Sequence, residues 1–170
     1  MTMPDGGLVI RTARTADETA LTRVEAAAWT PESGFPSVIE RVSDPFFTFF
    51  TDDSPPGSHR VAEAGGRVLG YIRVRPATRL RENAHVLAIV GLAVDPGARG
   101  RGVATALLAA AGQFARERGG RKLSLRVLSS NGPALRLYER CGFVREGTLR
   151  GEFCIQGQYV DDVVMAKHLG

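Results

Sequence analysis

The residues best suited to chemistry are gathered in one stretch, Val94-Asp95-Pro96-Gly97-Ala98-Arg99-Gly100-Arg101-Gly102-Val103-Ala104-Thr105. An apolar run ends there in a turn, and amphipathic helical spacing begins straight after it. Glycines remove the Cβ atoms that would hold an anion away from the backbone, a helix start offers unpaired N–H groups, and Arg99 and Arg101 add positive charge. Together these properties suit a pyrophosphate. A plain strand-to-helix turn with solvated arginines has the same letters, so the stretch needs support from elsewhere in the chain. Two other phosphate-binding patterns can be tested on the letters. A P-loop requires Gly-Lys followed by Ser or Thr, and that triplet occurs nowhere in the chain. A dinucleotide fingerprint asks for Gly or Ala where Thr105 stands, in a tandem βαβ arrangement, which makes it a poor match.

The elements that must hold this stretch follow from hydrophobic periodicity and turn chemistry. LVIRTA predicts a first strand, and Thr15-Ala16-Asp17-Glu18 a helix entry, with the helix running to about Trp29. From Pro31 to Gly57 prolines and glycines break the chain, leaving room for one helical stretch near Ser37 to Val42. RVAEA and RVLGYIRVR, separated by Gly65-Gly66, predict a hairpin, and His85 to Val94 a buried central strand. Val103, Leu107, Ala110, Ala111 and Phe114 recur at helical spacing until Gly119-Gly120. LSLRVL is the next strand, followed by a helix capped by Asn131, carrying Ala134, Leu137, Tyr138 and Cys141, and stopped at Gly142. Phe143 opens a strand, and the tail predicts two long strands joined around Gln156-Gly157-Gln158, with Gly147 and Gly151 as bulges. The order implies an α/β chain of the mixed α+β kind, a mixed sheet with helices on both faces.

With 170 residues, 44% hydrophobic and 24% charged, the chain has the material for one core, expected over residues 8–168 after a short extension, 1–7. A net charge of +4 raises the question of nucleic acid, but 20 arginines and 2 lysines are scattered without a basic stripe, so no nucleic-acid partner is expected. No apolar run is long enough to span a membrane and the start MTMPDGG lacks a leader pattern, so no membrane partner and cytoplasmic residence are expected. Cys141 and Cys154 fit neither a disulfide framework nor a metal site; they are read as buried structural thiols, and no metal is expected.

Arg99, Gly102 and Ala104 satisfy the pattern Arg or Gln, x, x, Gly, x, Gly or Ala, and in this the sequence resembles the GCN5-related N-acetyltransferase (GNAT) superfamily. The resemblance covers nearly the whole chain and includes a second segment, Asn131, Ala134, Tyr138 and Gly142-Phe143. It implies a mostly antiparallel seven-stranded sheet whose fourth and fifth strands splay apart to admit acetyl-CoA as co-substrate. By that mapping Leu92, Ala93 and Val94 pair with the pantetheine, and the backbone of Gly100, Arg101, Gly102, Val103, Ala104 and Thr105 meets the pyrophosphate with Arg99 beside it. Asn131 and Ala134 line the pantetheine, and Tyr138 faces the sulfur as general acid. A tyrosine packed between helix and sheet is the plainer reading of Tyr138. Many members carry a glutamate on the fourth strand as base; here the aligned position is Ala88. His85, Glu82 or a water wire are the replacements on offer, His85 being the named candidate and equally readable as a solvated strand-end residue.

The activity implied is transfer of an acetyl group to a primary amine, a small molecule such as an amino acid or polyamine or a protein N-terminus, by direct attack in a ternary complex; the oligomeric state is left open, a homodimer being among the options. Acceptor contacts are expected from Trp29 to Ser37, Asp44 to Ser58 and the last hairpin, where Trp29, Phe35, Phe46, Phe47, Phe49 and Phe50 could wall a pocket and Glu32, Asp52 and Asp53 could attract an ammonium group. A non-catalytic acyl-CoA-binding sensor or partner domain is the alternative, motivated by Ala88.

Overall fold

The computed structural model describes residues 7–30 and 33–170. Its seven strands are β1 (Val9–Thr12), β2 (His59–Ala64), β3 (Arg67–Pro76), β4 (Val86–Val94), β5 (Lys122–Leu128), β6 (Val144–Ile155) and β7 (Gln158–His168), and its helices are α1 (Glu18–Ala28), α2 (Pro36–Val42), α3 (Val103–Glu117) and α4 (Gly132–Arg140). The strands form one sheet in the order β1-β2-β3-β4-β5-β7-β6, antiparallel throughout except where β4 runs parallel to β5. The Pro31 and Glu32 readings, and all but Gly7 of the 1–7 extension, lie outside the described residues.

Local chemistry accounts for most element ends. Gly65 and Gly66 take φ of 57° and 74° between β2 and β3, the left-handed pair that a two-residue hairpin needs. Gly147 and Gly151 lie where the β6–β7 register shifts, so the long final hairpin bends rather than running flat. The predicted strand starts at His85 and Phe143 each fall one residue later, at Val86 and Val144.

Two cores form, one on each face. On one face α3 presents Val103, Leu107, Ala111 and Phe114 at helical spacing; with Leu135 and Tyr138 of α4 they cover Leu87, Ile89, Leu123, Leu125, Val127 and Met165. On the other, Leu21, Val24 and Ala28 of α1 cover Val61, Val68, Tyr71 and Ala93, with Phe49 beside them. Fully burying one of these larger aliphatic chains is worth roughly 1.5–3 kcal/mol, which is what holds the helices to the sheet. One expectation is corrected: Cys154 is exposed, because β6 is an edge strand of the sheet and its side chains largely face water, and Cys141, at the C-terminal cap of α4, is only half-buried. Among the described residues no helix is long and apolar enough to cross a membrane.

Candidate functional site

The site begins where two neighbouring strands stop being neighbours. β4 and β5 pair only at Val86↔Lys122, Leu87↔Leu123 and Ala88↔Ser124, with the Ser124 hydroxyl donating to the Leu87 carbonyl at 3.3 Å near the closing point. Beyond Ala88 the two strands are held by different partners. β3 keeps β4, in a register that skips Val90 and so kinks the strand there, while β7 keeps β5 in unbroken pairing from Lys122 to Leu128. The result is a wedge with one wall formed by the free edge of residues 89–94.

That free edge runs straight into the glycine-rich loop. Asp95 builds the turn: its Oδ1 accepts from the Gly97 amide at 2.9 Å, and Arg23 and Arg67 donate to its Oδ2. Burial alone would raise the Asp95 carboxyl, but the hydrogen bonds from Arg23, Gly97 and Arg67 outweigh it and hold it below its ordinary value. Gly102 caps α3 with φ at 77°, and a Cβ at Gly100 or Gly102 would meet nothing within 4 Å, so both backbones stand open. The first helical bond runs from the Ala106 amide to the Gly102 carbonyl at 3.0 Å, leaving the amides of Val103, Ala104 and Thr105 as the unpaired start of the helix. Arg101 is exposed, and its guanidinium has no partner among the described residues. Arg99 is committed differently: it donates to the Ala28 carbonyl at 2.7 Å and ties the loop to the end of α1.

On the opposite wall, Asn131 caps α4, its Oδ1 accepting from the Ala134 amide at 3.2 Å, which leaves the amide nitrogen of its side chain free. Seven residues on, Tyr138 is 9% exposed, its ring edge-on to Phe143 at 5.9 Å. Its hydroxyl has no hydrogen-bond partner among the described residues, and burial, with the neighbouring Cys141, pushes its pKa up to about 12. The β4 edge thus carries Leu92, Ala93 and Val94 into the loop 99–105, Asn131 stands just past the end of β5, and Ala134 and Tyr138 lie with Leu92, Val94 and Ala104 in the core cluster under α3 and α4. His85 stands apart: it is exposed before β4 begins, at the closed end where its carbonyl accepts from the Arg121 and Lys122 amides, five residues or about 16 Å along the strand from Val90. Glu82 is also exposed, in the turn Arg81–Asn83.

The face of the sheet under α1 holds a group that sequence reading passed over. Glu25, 8% exposed, lies among Leu21, Val24 and Ala28 on the inner face of α1 and accepts a short hydrogen bond from the Tyr71 hydroxyl. The available signal was a single acid on a helix's apolar stripe. Tyr71 lies across Gly91, where a Cβ would come 3.2 Å from the ring and 3.5 Å from the hydroxyl oxygen, so glycine is what lets the ring reach the kinked part of β4. Burial drives the Tyr71 phenol well above its usual range, with the Glu25 charge and hydrogen bond adding to it. His59, 1% exposed, packs against Tyr71, Phe49 and Phe50, and burial pulls its pKa down to about 4. Of the aromatics offered as pocket walls, Phe49 and Phe50 are fixed by their amides donating to Glu18, and Phe35 meets Phe153 of β6 at 4.8 Å, carrying the approach to α2 across to the final hairpin. Phe46 is 91% exposed and walls nothing. The Trp29 indole N–H and Arg73 Nε are buried without a partner among the described residues.

The arrangement offers an open strand edge for an extended amide chain, free amides and a cation for phosphates at its end, and a protonated phenol in the core cluster to which Leu92 and Val94 also belong. The model of the acetyltransferase (GNAT) family matches residues 20–143. The chain belongs to that family. It is 32% identical to the L-amino acid N-acetyltransferase of Escherichia coli over 94% of this chain and 97% of that one. It is 35% identical to the mycothiol acetyltransferase of Thermomonospora curvata, over 85% of this chain and 46% of the other; this chain spans about half the length of the mycothiol acetyltransferases it matches. Among solved structures the yncA protein of Salmonella typhimurium, determined with its cofactor acetyl-CoA, superposes with a TM-score of 0.76 at 19% identity, over 96% and 95% of the two chains.

Proposed function

We propose that this chain is an acetyl-CoA-dependent N-acetyltransferase acting on a primary amine carried by a small molecule or a peptide N-terminus. The observation that carries the reading is the wedge: a strand edge freed from residue 89 onward leads without a break into the open amides of 100–105. The residues fit coenzyme A. Leu92, Ala93 and Val94 would take the pantetheine, Gly100 to Thr105 with Arg101 the pyrophosphate, and Asn131 and Ala134 the far side. Arg99 contributes by holding the loop against α1.

Bound there, the cofactor supplies a thioester whose carbonyl the amine attacks. Tyr138 acts as general acid, its phenol donating to the departing thiolate, and an amide of the β4 edge stabilises the developing oxyanion. Burial keeps the phenol proton in place far above neutral pH. Amino acids head the list of acceptors, because the L-amino acid N-acetyltransferase is matched over nearly all of both chains. The test is release of free thiol from acetyl-CoA across a panel of amino acids, polyamines, aminoglycosides and N-terminal peptides. Amine-dependent release supports the reading; tight coenzyme A binding with no release from any amine would favour the sensor domain instead.

A further inference from the structure

We propose that Tyr71 and Glu25 form the relay that takes the proton from the acceptor amine, Tyr71 touching the amine and Glu25 receiving the proton behind it. The inference rests on the acetyltransferase reading above and supplies the group that reading lacks.

A simple primary amine, with a pKa near that of lysine at about 10, is almost wholly ammonium at neutral pH and cannot attack until a proton leaves. Tyr138 belongs to the core under α3 and α4, so the proton acceptor is sought on the other face of the freed strand. There the Tyr71 hydroxyl reaches β4 beside the Val90 kink, 3.5 Å from where a Gly91 Cβ would stand. Its own proton is already directed at Glu25, which leaves an oxygen lone pair to accept. Packing alone does not account for the pair. A carboxyl–phenol couple between apolar helix and sheet faces is costly to desolvate, and a Leu–Phe couple of similar size would pack there at no such cost. The charged and titratable neighbours are Arg73 of β3, Arg41 of α2 and the ring of His59 of β2. Both arginines disfavour a nearby ammonium relative to the neutral amine, and His59, with its pKa near 4, is neutral above about pH 5.

In the step, the amine nitrogen bonds to the thioester carbonyl carbon and the carbon–sulfur bond breaks. The ammonium has first passed one proton to the Tyr71 oxygen as Tyr71 passes its own to Glu25, which releases it to solvent; the second nitrogen proton, freed once the new bond has formed, leaves by the same route, and the thiolate takes the Tyr138 proton. Glu25 then loses its proton to solvent and Tyr138 regains one, so every group returns to its starting state.

The experiment compares wild type, Glu25→Gln and Tyr71→Phe for kcat/KM between pH 6.5 and 9.5 with one competent amine, alongside melting temperature and calorimetric coenzyme A affinity. Gln can still accept the Tyr71 hydrogen bond, so the fold is expected to survive. The expected result is a deficit of about 100-fold at pH 7 in each variant, within the usual range for general-base catalysis, that shrinks as pH approaches the amine's own pKa while coenzyme A affinity stays unchanged. A deficit of constant size at every pH would mark the pair as structural and overturn the proposal, as would wild-type rates or a loss of coenzyme A affinity. If Glu25→Gln does not fold, Tyr71→Phe decides by the same criteria. No turnover of any amine by wild type would overturn the acetyltransferase reading itself, and this inference with it.

Discussion

Neither the buried hydroxyl of Tyr138 nor the exposed guanidinium of Arg101 has a hydrogen-bond partner among the described residues. For Tyr138 the consequence is catalytic. Tyr138→Phe preserves the ring's contact with Phe143 and removes only the hydroxyl, so kcat should fall roughly tenfold to a hundredfold, the lower part of the general-acid range, with coenzyme A affinity retained. Because burial raises the phenol to about 12, this proton stays on through pH 9, and no loss of kcat between pH 7 and 9 should trace to Tyr138. A wild-type kcat in the variant would reduce Tyr138 to a packing residue. For Arg101 the consequence is affinity. Arg101→Ala should weaken coenzyme A by about tenfold to a hundredfold in calorimetry, the value of a hydrogen bond to a charged group of about 1.5–3 kcal/mol, without a change in melting temperature. Arg99→Ala should instead lower the melting temperature, since its bond goes to the end of α1.

At the scale of elements, the caps carry both stability and position. Asn131→Ala removes the acceptor for the Ala134 amide and should cost about 1 kcal/mol in denaturant unfolding, and it also disturbs the wall that faces the wedge. What was legible in the sequence is what is encoded locally. The run 94–105 states its strand, turn and helix in adjacent letters; Asn131 announces a cap; Gly65-Gly66 and Gly147 mark a turn and a bulge. The resemblance supplied the parting of β4 from β5, which no local pattern could give, because it arises from competition between β3 and β7 for two strands that meet in only three residue pairs. The Tyr71–Glu25 bond was hidden for a similar reason. It joins residues 46 apart in sequence, and each alone reads as an ordinary member of a strand or a helix. His85 has the right chemistry in the sequence, but the geometry leaves it at the closed end of the strand pair.

The whole molecule should show acid sensitivity with an identifiable source. His59 is buried and its folded pKa lies near 4, against about 6.5 when unfolded, so below 6.5 the unfolded chain binds the proton that the folded one refuses. Stability from this group is therefore full above about pH 6.5 and is lost as pH falls toward 4, the loss reaching about 2 kcal/mol by pH 5. Urea unfolding at pH 7 and pH 5, with the imidazole followed by NMR, checks it; titration of folded His59 near 6.5 would remove the cause. Hydrogen exchange with and without acetyl-CoA tests whether the wedge between β4 and β5 is where the cofactor lies. Slowed exchange concentrated in residues 89–94 and 100–105, absent with NAD, is the predicted result. Protection centred elsewhere, such as the depression of about 310 Å³ between Arg11, Arg60 and Phe114, with residues 89–105 unchanged, would contradict it.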